Sequence, residues 1–263
     1  MAKPLLPDPL WEIIQPLLPV RPPRPRGGRP PVDDRKALTG ILFLLKTGMA
    51  WEDLPAELGC GCGMTCWRRL RDWQRDGTWR KIHAALLRHL DEAGKIDWRR
   101  AAIDSSSVRA VFWGADTGPN PTDRGKAGSK HHVMVDGAGV PLGCTVTAAN
   151  RHDVTALLPT VVACPLEGYG EPPRLPRRLL GDQAYDSQGH EGMIAWLGIE
   201  PVFAQRGREH GSGLGQQRYV VEQTLAALHQ NRRLKVRYEK RSDIHLAFLT
   251  LACIKVCFYR LIA

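Results

Sequence analysis

The chain has 263 residues, 43% of them hydrophobic, and 37 Lys and Arg against 27 Asp and Glu give a formal net charge of +10. That is enough for one large or two small domains with real cores, and the positive balance points to an anionic partner, nucleic acid being the commonest. The opening MAKPLLPDPLWEII lacks a secretory pattern, the longest apolar run (Ile41 to Leu45) is far too short for a bilayer, and the cysteine count is odd at seven; these features argue against secretion and membrane spanning, and for reduced thiols in a cytoplasm.

Leu5 to Leu18 reads as a short helix with Leu10, Ile13, Ile14 and Leu17 on one side. Pro19 to Pro31 is proline, glycine and arginine, an extended arm carrying Arg21, Arg24, Arg26 and Arg29. It is either a solvated linker or an arm that follows phosphates or a minor groove. Asp33 and Asp34 start a helix whose buried face is Ala37, Leu38, Ile41, Leu42 and Leu45, up to Gly48. Helices follow at Trp51 to Leu58, Thr65 to Gln74 and Trp79 to Leu90. The one from Thr65 turns Trp67, Leu70 and Trp73 inward and leaves Arg68, Arg69, Arg71 and Arg75 mostly outward. Short helices with a basic one third in line fit a helix-turn-helix-like DNA-binding module, or a small bundle with solvated arginines. Cys60, Cys62 and Cys66 lack the paired spacing of a structural zinc site.

From Arg99 the character changes. Ala101 to Val111, His131 to Asp136 and Val140 to Thr147 read as strands, the last two joined by Gly137-Ala138-Gly139 as a hairpin. A helix at Val154 to Ala163, a strand at Arg178 to Gly181, a helix at Gly189 to Leu197 and a strand at Ile199 to Ala204 come next. Arg218 to Tyr238 has helical period, with an apolar stripe of Val221, Leu225 and Leu228. A second stripe carries Arg218, Glu222, Ala226, His229 and Arg233. Ile244 to Ile262 closes the sequence as a long amphipathic helix. The order implies a mixed sheet with helices packed on it.

Asp104 and Asp182 each end an apolar run, where a charge is costly unless paired or bound to metal. Glu222 on the basic helix is a third such acid. Singly each fits an ion pair; converging, they make the oxygen-rich site that Mg²⁺ or Mn²⁺ prefers.

The sequence resembles bacterial insertion-sequence transposases of the DDE class. The motifs are W-x-x-I-x-P-L-L-P at Trp11 to Pro19, G-M-A-W-x-D-L-P at Gly48 to Pro55, D-S-S-S-V-R-A at Asp104 to Ala110 and T-G-P-N-P-T-D-R-G at Thr117 to Gly125. G-S-K-H-H at Gly128 to His132, A-N-R-H-D at Ala149 to Asp153, D-x-x-Y-D-S at Asp182 to Ser187, R-x-V-V-E at Arg218 to Glu222 and R-R-L-K-V-R-Y-E at Arg232 to Glu239 complete them. The resemblance implies an α+β or α/β chain, with an N-terminal all-helical helix-turn-helix-like domain and an RNase H-like mixed-sheet catalytic domain with flanking helices. The divisions expected are a helix at 1–18, an arm at 19–33, a helical DNA-binding domain at 34–97 and a catalytic domain at 98–263.

It also implies that Asp104, Asp182 and Glu222 are the catalytic acids and hold two Mg²⁺ or Mn²⁺ ions. A metal-activated water would cut a phosphodiester at the element's end, and the freed 3′-hydroxyl would attack target DNA. Expected DNA contacts are Arg24, Arg26, Arg29, Arg68, Arg69, Arg71, Lys126, Lys130, Arg218, His229, Arg232 and Arg233. Tyr185 matches a tyrosine beside the second acid, and Asn150, His152 and Asp153 match a block near the active face. The partners implied are double-stranded DNA, as terminal repeats and target, and a second copy of the chain, acting at the bacterial nucleoid. Gln223, Ala227 and His229 depart from the arginine, tryptophan and lysine common in the family. Rival readings are a helix-turn-helix regulator or inactive copy that only binds DNA, and a nuclease that cuts without joining.

Overall fold

The computed structural model describes residues 4–20, 30–165, 174–205 and 214–263. Helix α1 (Asp8–Ile14) runs on into a 3-10 turn, Gln15–Leu17, and buries Leu10 and Ile14. Asp33 caps α2 (Asp34–Thr47) by accepting the Lys36 amide at 3.1 Å, so the two acids open the helix as their position suggests. The helix expected at Trp51 to Leu58 is instead two 3-10 turns, Trp51–Asp53 and Ala56–Leu58. Pro55 separates them, because it has no N–H to donate and disfavours a helical residue before it. Helices α3 (Gly63–Arg75) and α4 (Thr78–Glu92) follow, locked by an edge-on contact between Trp73 and Trp79 at 5.4 Å.

The sheet begins with β1 (Ala101–Ala110), then β2 (Gly118–Pro119), β3 (Ala127–Asp136) and β4 (Pro141–Ala148). The hairpin between β3 and β4 closes where expected. Asp136 accepts the amides of Ala138 and Val140 at 2.9 and 2.7 Å, and Gly139 adopts φ +83°, which an L side chain resists. A 3-10 turn (Asp153–Ala156) leads into α5 (Leu157–Val162), followed by β5 (Arg178–Gly181), α6 (Gln188–Trp196) and β6 (Glu200–Phe203). The chain ends with α7 (Leu214–Leu228), α8 (Arg232–Lys235), β7 (Val236–Arg237) and α9 (Ser242–Ile262).

Across the sheet the main order is β4-β3-β1-β5-β6, with β2 beside β3 and β7 beside the far end of β1. The pairs β1–β3 and β3–β4 are antiparallel, while β1–β5 and β5–β6 are parallel. Three antiparallel strands continued by parallel ones, with helices packed against them, give the RNase H-like mixed-sheet arrangement.

Helix α9 is long and apolar enough to cross a bilayer, with mean hydropathy 1.6. Its inner face, including Phe248, Leu251, Ile254 and Phe258, is buried against α3, α4, α7 and β4. One hydrophobic core therefore runs from α1 through α9 into the sheet. The transition near residue 97 is a change of secondary structure with no gap in packing.

Candidate active site

The strand that carries Asp104 is the centre of the sheet. Ala101, Ala102 and Ile103 are buried, and the aspartate that follows them is half-buried. Its Oδ1 accepts the Ser105 amide at 2.7 Å. On the neighbouring parallel strand Ala102 pairs with Leu180. Two residues further along each strand, the register brings Asp104 level with Asp182.

Gly181 lets the rings of Phe203 and Tyr185 pack closely just before Asp182, because a Cβ there would lie 2.8 Å from Phe203 Cδ1 and 3.0 Å from Tyr185 Cδ2. Asp182 then caps a 3-10 turn, Gln183–Tyr185, by accepting the Ala184 amide on Oδ1 at 2.9 Å. Each aspartate thus spends Oδ1 on backbone and leaves Oδ2 on the side of Arg218.

Helix α7 lies over this point. Val221, Leu225 and Leu228 are buried, as their spacing predicts, and Arg218 and Glu222 share a neighbouring face. The guanidinium Nη2 of Arg218 stands 3.6 Å from Asp104 Oδ2 and 4.0 Å from Asp182 Oδ2. A cation therefore sits between the two free carboxylate oxygens. Glu222 is exposed, one turn further along.

Burial pushes the Asp104 carboxyl up to about 6, and the charges of Asp182 and Glu222 add to the rise. The Ser105 amide and Arg218 oppose it without winning. Three acids from three distant segments thus share one electrostatic field. Among the described residues no three His, Cys, Asp or Glu groups are drawn together closely enough to hold an ion as they stand. The donor set nevertheless suits a divalent ion: hard oxygen ligands, mutual repulsion, and a side-chain cation already set between two of them.

A second layer surrounds the acids. Asp153 accepts from Ser105 Oγ and Lys130 Nζ, both at 2.9 Å, and lies 3.9 Å from His132 Nδ1. Burial is the main reason the His132 imidazole falls to about 4. The Tyr185 hydroxyl is buried with no hydrogen-bond partner among the described residues. Burial raises it most, and the fields of Asp153, Asp104 and Asp182 raise it further. Tyr185 and Asp153 were visible in the sequence through the blocks they occupy; the hydrogen bond from Ser105 to Asp153 was not.

The expected DNA-contact residues separate into groups. Arg24, Arg26 and Arg29 lie outside the described residues. Arg68, Lys126 and Arg232 are exposed. Arg69 pairs with Asp34 at 3.1 Å, and Arg71 with Asp72 at 2.7 Å while lying over Trp67. Lys130 is occupied by Asp153 and by the Arg151 carbonyl at 2.9 Å.

Arg233 requires a correction. It is 3% exposed, bonds Glu239 at 2.7 Å and the Met49 carbonyl, and sits among the rings of Trp51, Tyr238 and Phe248. Its charge is spent inside the protein. The helical stripe fails there because α7 stops at Leu228 and the chain turns before α8.

His229, at that turn, is half-buried and contacts His131 at 3.1 Å; His131 meets His245 at 2.7 Å, and His245 stands 3.2 Å from Glu239. A buried polar chain thus links the end of α7 to the Arg233 box, through residues far apart in sequence. Of the cysteines near α3, Cys60 and Cys66 pack into the core and Cys62 is exposed. Cys60 and Cys66 are buried, and burial, aided by its cysteine neighbours, pushes Cys66 up to about 12.

Residues 98–256 match the family model "Transposase DDE domain", and residues 6–83 match the model "Putative transposase of IS4/5 family". The "Putative transposase for insertion sequence element IS402" of Burkholderia cepacia is 51% identical over 162 residues, covering 60% of this chain and 74% of that protein. The "Insertion element IS402 uncharacterized 16.2 kDa protein" of the same organism is 59% identical over 125 residues, covering 46% of this chain and 84% of that one. A crystal structure of the Mos1 mariner paired end complex with Mn aligns at 12% identity and a TM-score of 0.34, covering 91% of this chain and 80% of that one. The family match spans most of the chain and includes Asp104, Asp182 and Glu222: the protein belongs to the DDE-domain transposases of insertion sequences.

Proposed function

We propose that this transposase cuts the ends of its insertion sequence and joins the freed 3′-hydroxyl strand to target DNA, with Asp104, Asp182 and Glu222 as the catalytic acids. The observation that carries the reading is the register that brings Asp104 level with Asp182, with Arg218 between their free oxygens.

The three acids would hold two Mg²⁺ or Mn²⁺ ions. Bound there, such ions supply Lewis acidity to the attacking and leaving oxygens of an in-line phosphoryl transfer. Ser105 and Ala184 amides hold one oxygen of each aspartate and so fix which oxygen faces the centre. Arg218 offsets carboxylate repulsion before substrate arrives and can turn to a substrate phosphate afterwards. Lys130 and Asp153 brace the strand through Ser105. Arg68, Lys126 and Arg232 are exposed cations available to the DNA backbone. Two ends joined in one event call for at least a dimer on DNA, and the reaction belongs to the cytoplasm, at the nucleoid.

Purified protein incubated with duplexes carrying the gene's own flanking ends, with Mg²⁺ or Mn²⁺, tests this. Wild type should nick and join, and Asp104→Asn, Asp182→Asn and Glu222→Gln should each lower both by at least about 10²-fold, as loss of a transition-state electrostatic group does. Nicking without joined product would reduce the protein to a nuclease. DNA binding with neither product would leave a regulator or an inactive copy.

A further inference from the structure

On the flank of α7 away from Glu222, a cavity of about 510 Å³ opens between α7, α9 and the last turn of α2. Lys46, Lys255 and Arg260 line it, and no carboxylate does. Among the described residues none of these three cations has an ion-pair partner.

Lys255 is aimed rather than loose. Its Nζ donates to Asn231 Oδ1 at 2.6 Å, and the Asn231 amide in turn donates to the Leu228 carbonyl at 2.9 Å. The buried Asn231 thus ties the end of α7 to a lysine on α9. Burial, with the nearby charge of Lys46, lowers the Lys255 amine to about 8. Lys255 is half-buried while Lys46 and Arg260 are exposed, and a half-buried ammonium with cations beside it and no acid favours an anion that joins them. Ala227, a small residue on α7, leaves the space open.

We infer that this cavity takes a backbone phosphate of the DNA strand that runs over the active site, which rests on the transposase reading above. The cavity and the acids lie on two flanks of one helix. A helix with its side chains is about 10–12 Å across, about three nucleotides of strand at 3.4 Å each. One strand can therefore lay a phosphate at the carboxylates and another at Lys255. Of the cations and imidazoles expected to meet DNA near the end of α7, His229 and Arg233 are engaged inside the protein and Arg232 stays exposed.

Amine footprinting on the full chain tests the inference. Asp104→Asn protein is treated with limiting acetylating reagent at neutral pH, alone, with a saturating duplex of the gene's flanking end, or with inorganic phosphate at equal phosphate concentration. Peptide mass spectrometry reads each lysine, and a gel shift confirms that the duplex is bound. Duplex should slow labelling of Lys255 and Lys46 at least fivefold while Lys81, exposed on α4, changes little, and inorganic phosphate should protect neither. Bound duplex without protection of Lys255 would overturn the inference and leave the catalytic reading intact. Equal protection by inorganic phosphate would make this a free-anion site and also overturn it. Failure of the duplex to bind would overturn both readings. As a second measurement, Lys255→Met should weaken duplex binding about tenfold and flatten its salt dependence by about one unit of slope. Lys255→Arg should restore both, and an unchanged slope in Lys255→Met would count against the site.

Discussion

Asp104 is ionised at a cost. Its carboxyl titrates near 6 in the folded chain against 3.8 as a free side chain, mainly because it is buried. A folded-state value above the unfolded one means that the fold binds the extra proton between those limits. The stability this contributes is present at low pH and lost as pH rises through 6. At about 1.4 kcal/mol per pH unit, the penalty at neutral pH is on the order of 1–3 kcal/mol. Asp104→Asn should therefore raise Tm at pH 7 in chelator by several degrees, at about 2–4 °C per kcal/mol for a chain of this size. The gain should shrink as the melt is repeated toward pH 4. A Tm that falls on substitution would show that Asp104 is held by pairing and not strained by burial.

At the scale of elements, the apolar run before Asp104 and the paired acids before α2 were legible because each is a local pattern. The end of α7 was not. Nothing in Leu-His-Gln-Asn-Arg-Arg forbids a helix, yet the helix stops at Leu228 and resumes as the single turn α8. What decides it is tertiary: Arg233 is drawn into the box of Trp51, Tyr238 and Phe248, whose members come from three separate segments. Strand β7 is two residues long, and its pairing with β1 is fixed beside that box by the buried Arg237, which donates to Ser129 Oγ at 2.7 Å and the Asp116 carbonyl at 3.0 Å.

Glu239 holds the box closed. Burial would lift its carboxyl, but the His245 hydrogen bond and the Arg233 charge together keep it below the usual range. Glu239→Gln would leave the Arg233 guanidinium buried without its counter-charge. The expected loss is about 3–5 kcal/mol, read by urea unfolding, and pairing it with Arg233→Met should recover part of that. A neutral Glu239→Gln would mean that the ring contacts alone hold Arg233.

For the whole molecule, buried histidines set the response to acid. His83, which donates to the Pro141 carbonyl at 2.8 Å, is lowered to about 4 by burial. His132 is lowered to about 4, and His131, His229 and His245 are lowered as well, burial leading in each. An unfolded histidine takes up a proton near 6.5, where these folded ones do not, so their stability is full above 6.5 and lost as pH falls toward 4. Asp104 and Asp136, both raised by burial, act the other way. Five histidines against two acids predict a net fall in Tm between pH 7 and pH 5. Calorimetry that shows a flat or rising Tm over that range would contradict the buried-neutral histidine cluster.

The central claim is that Asp104 within β1, Asp182 beyond the end of β5 and Glu222 on α7 together hold a divalent ion. Titration of the purified chain with Mn²⁺, followed by loss of the free-ion signal in electron paramagnetic resonance, tests it most directly. Wild type should bind Mn²⁺ saturably, and Asp104→Asn, Asp182→Asn and Glu222→Gln should each weaken binding at least tenfold while the thermal melt shows them folded. Equal Mn²⁺ affinity in wild type and all three variants would place the ion elsewhere and contradict the account.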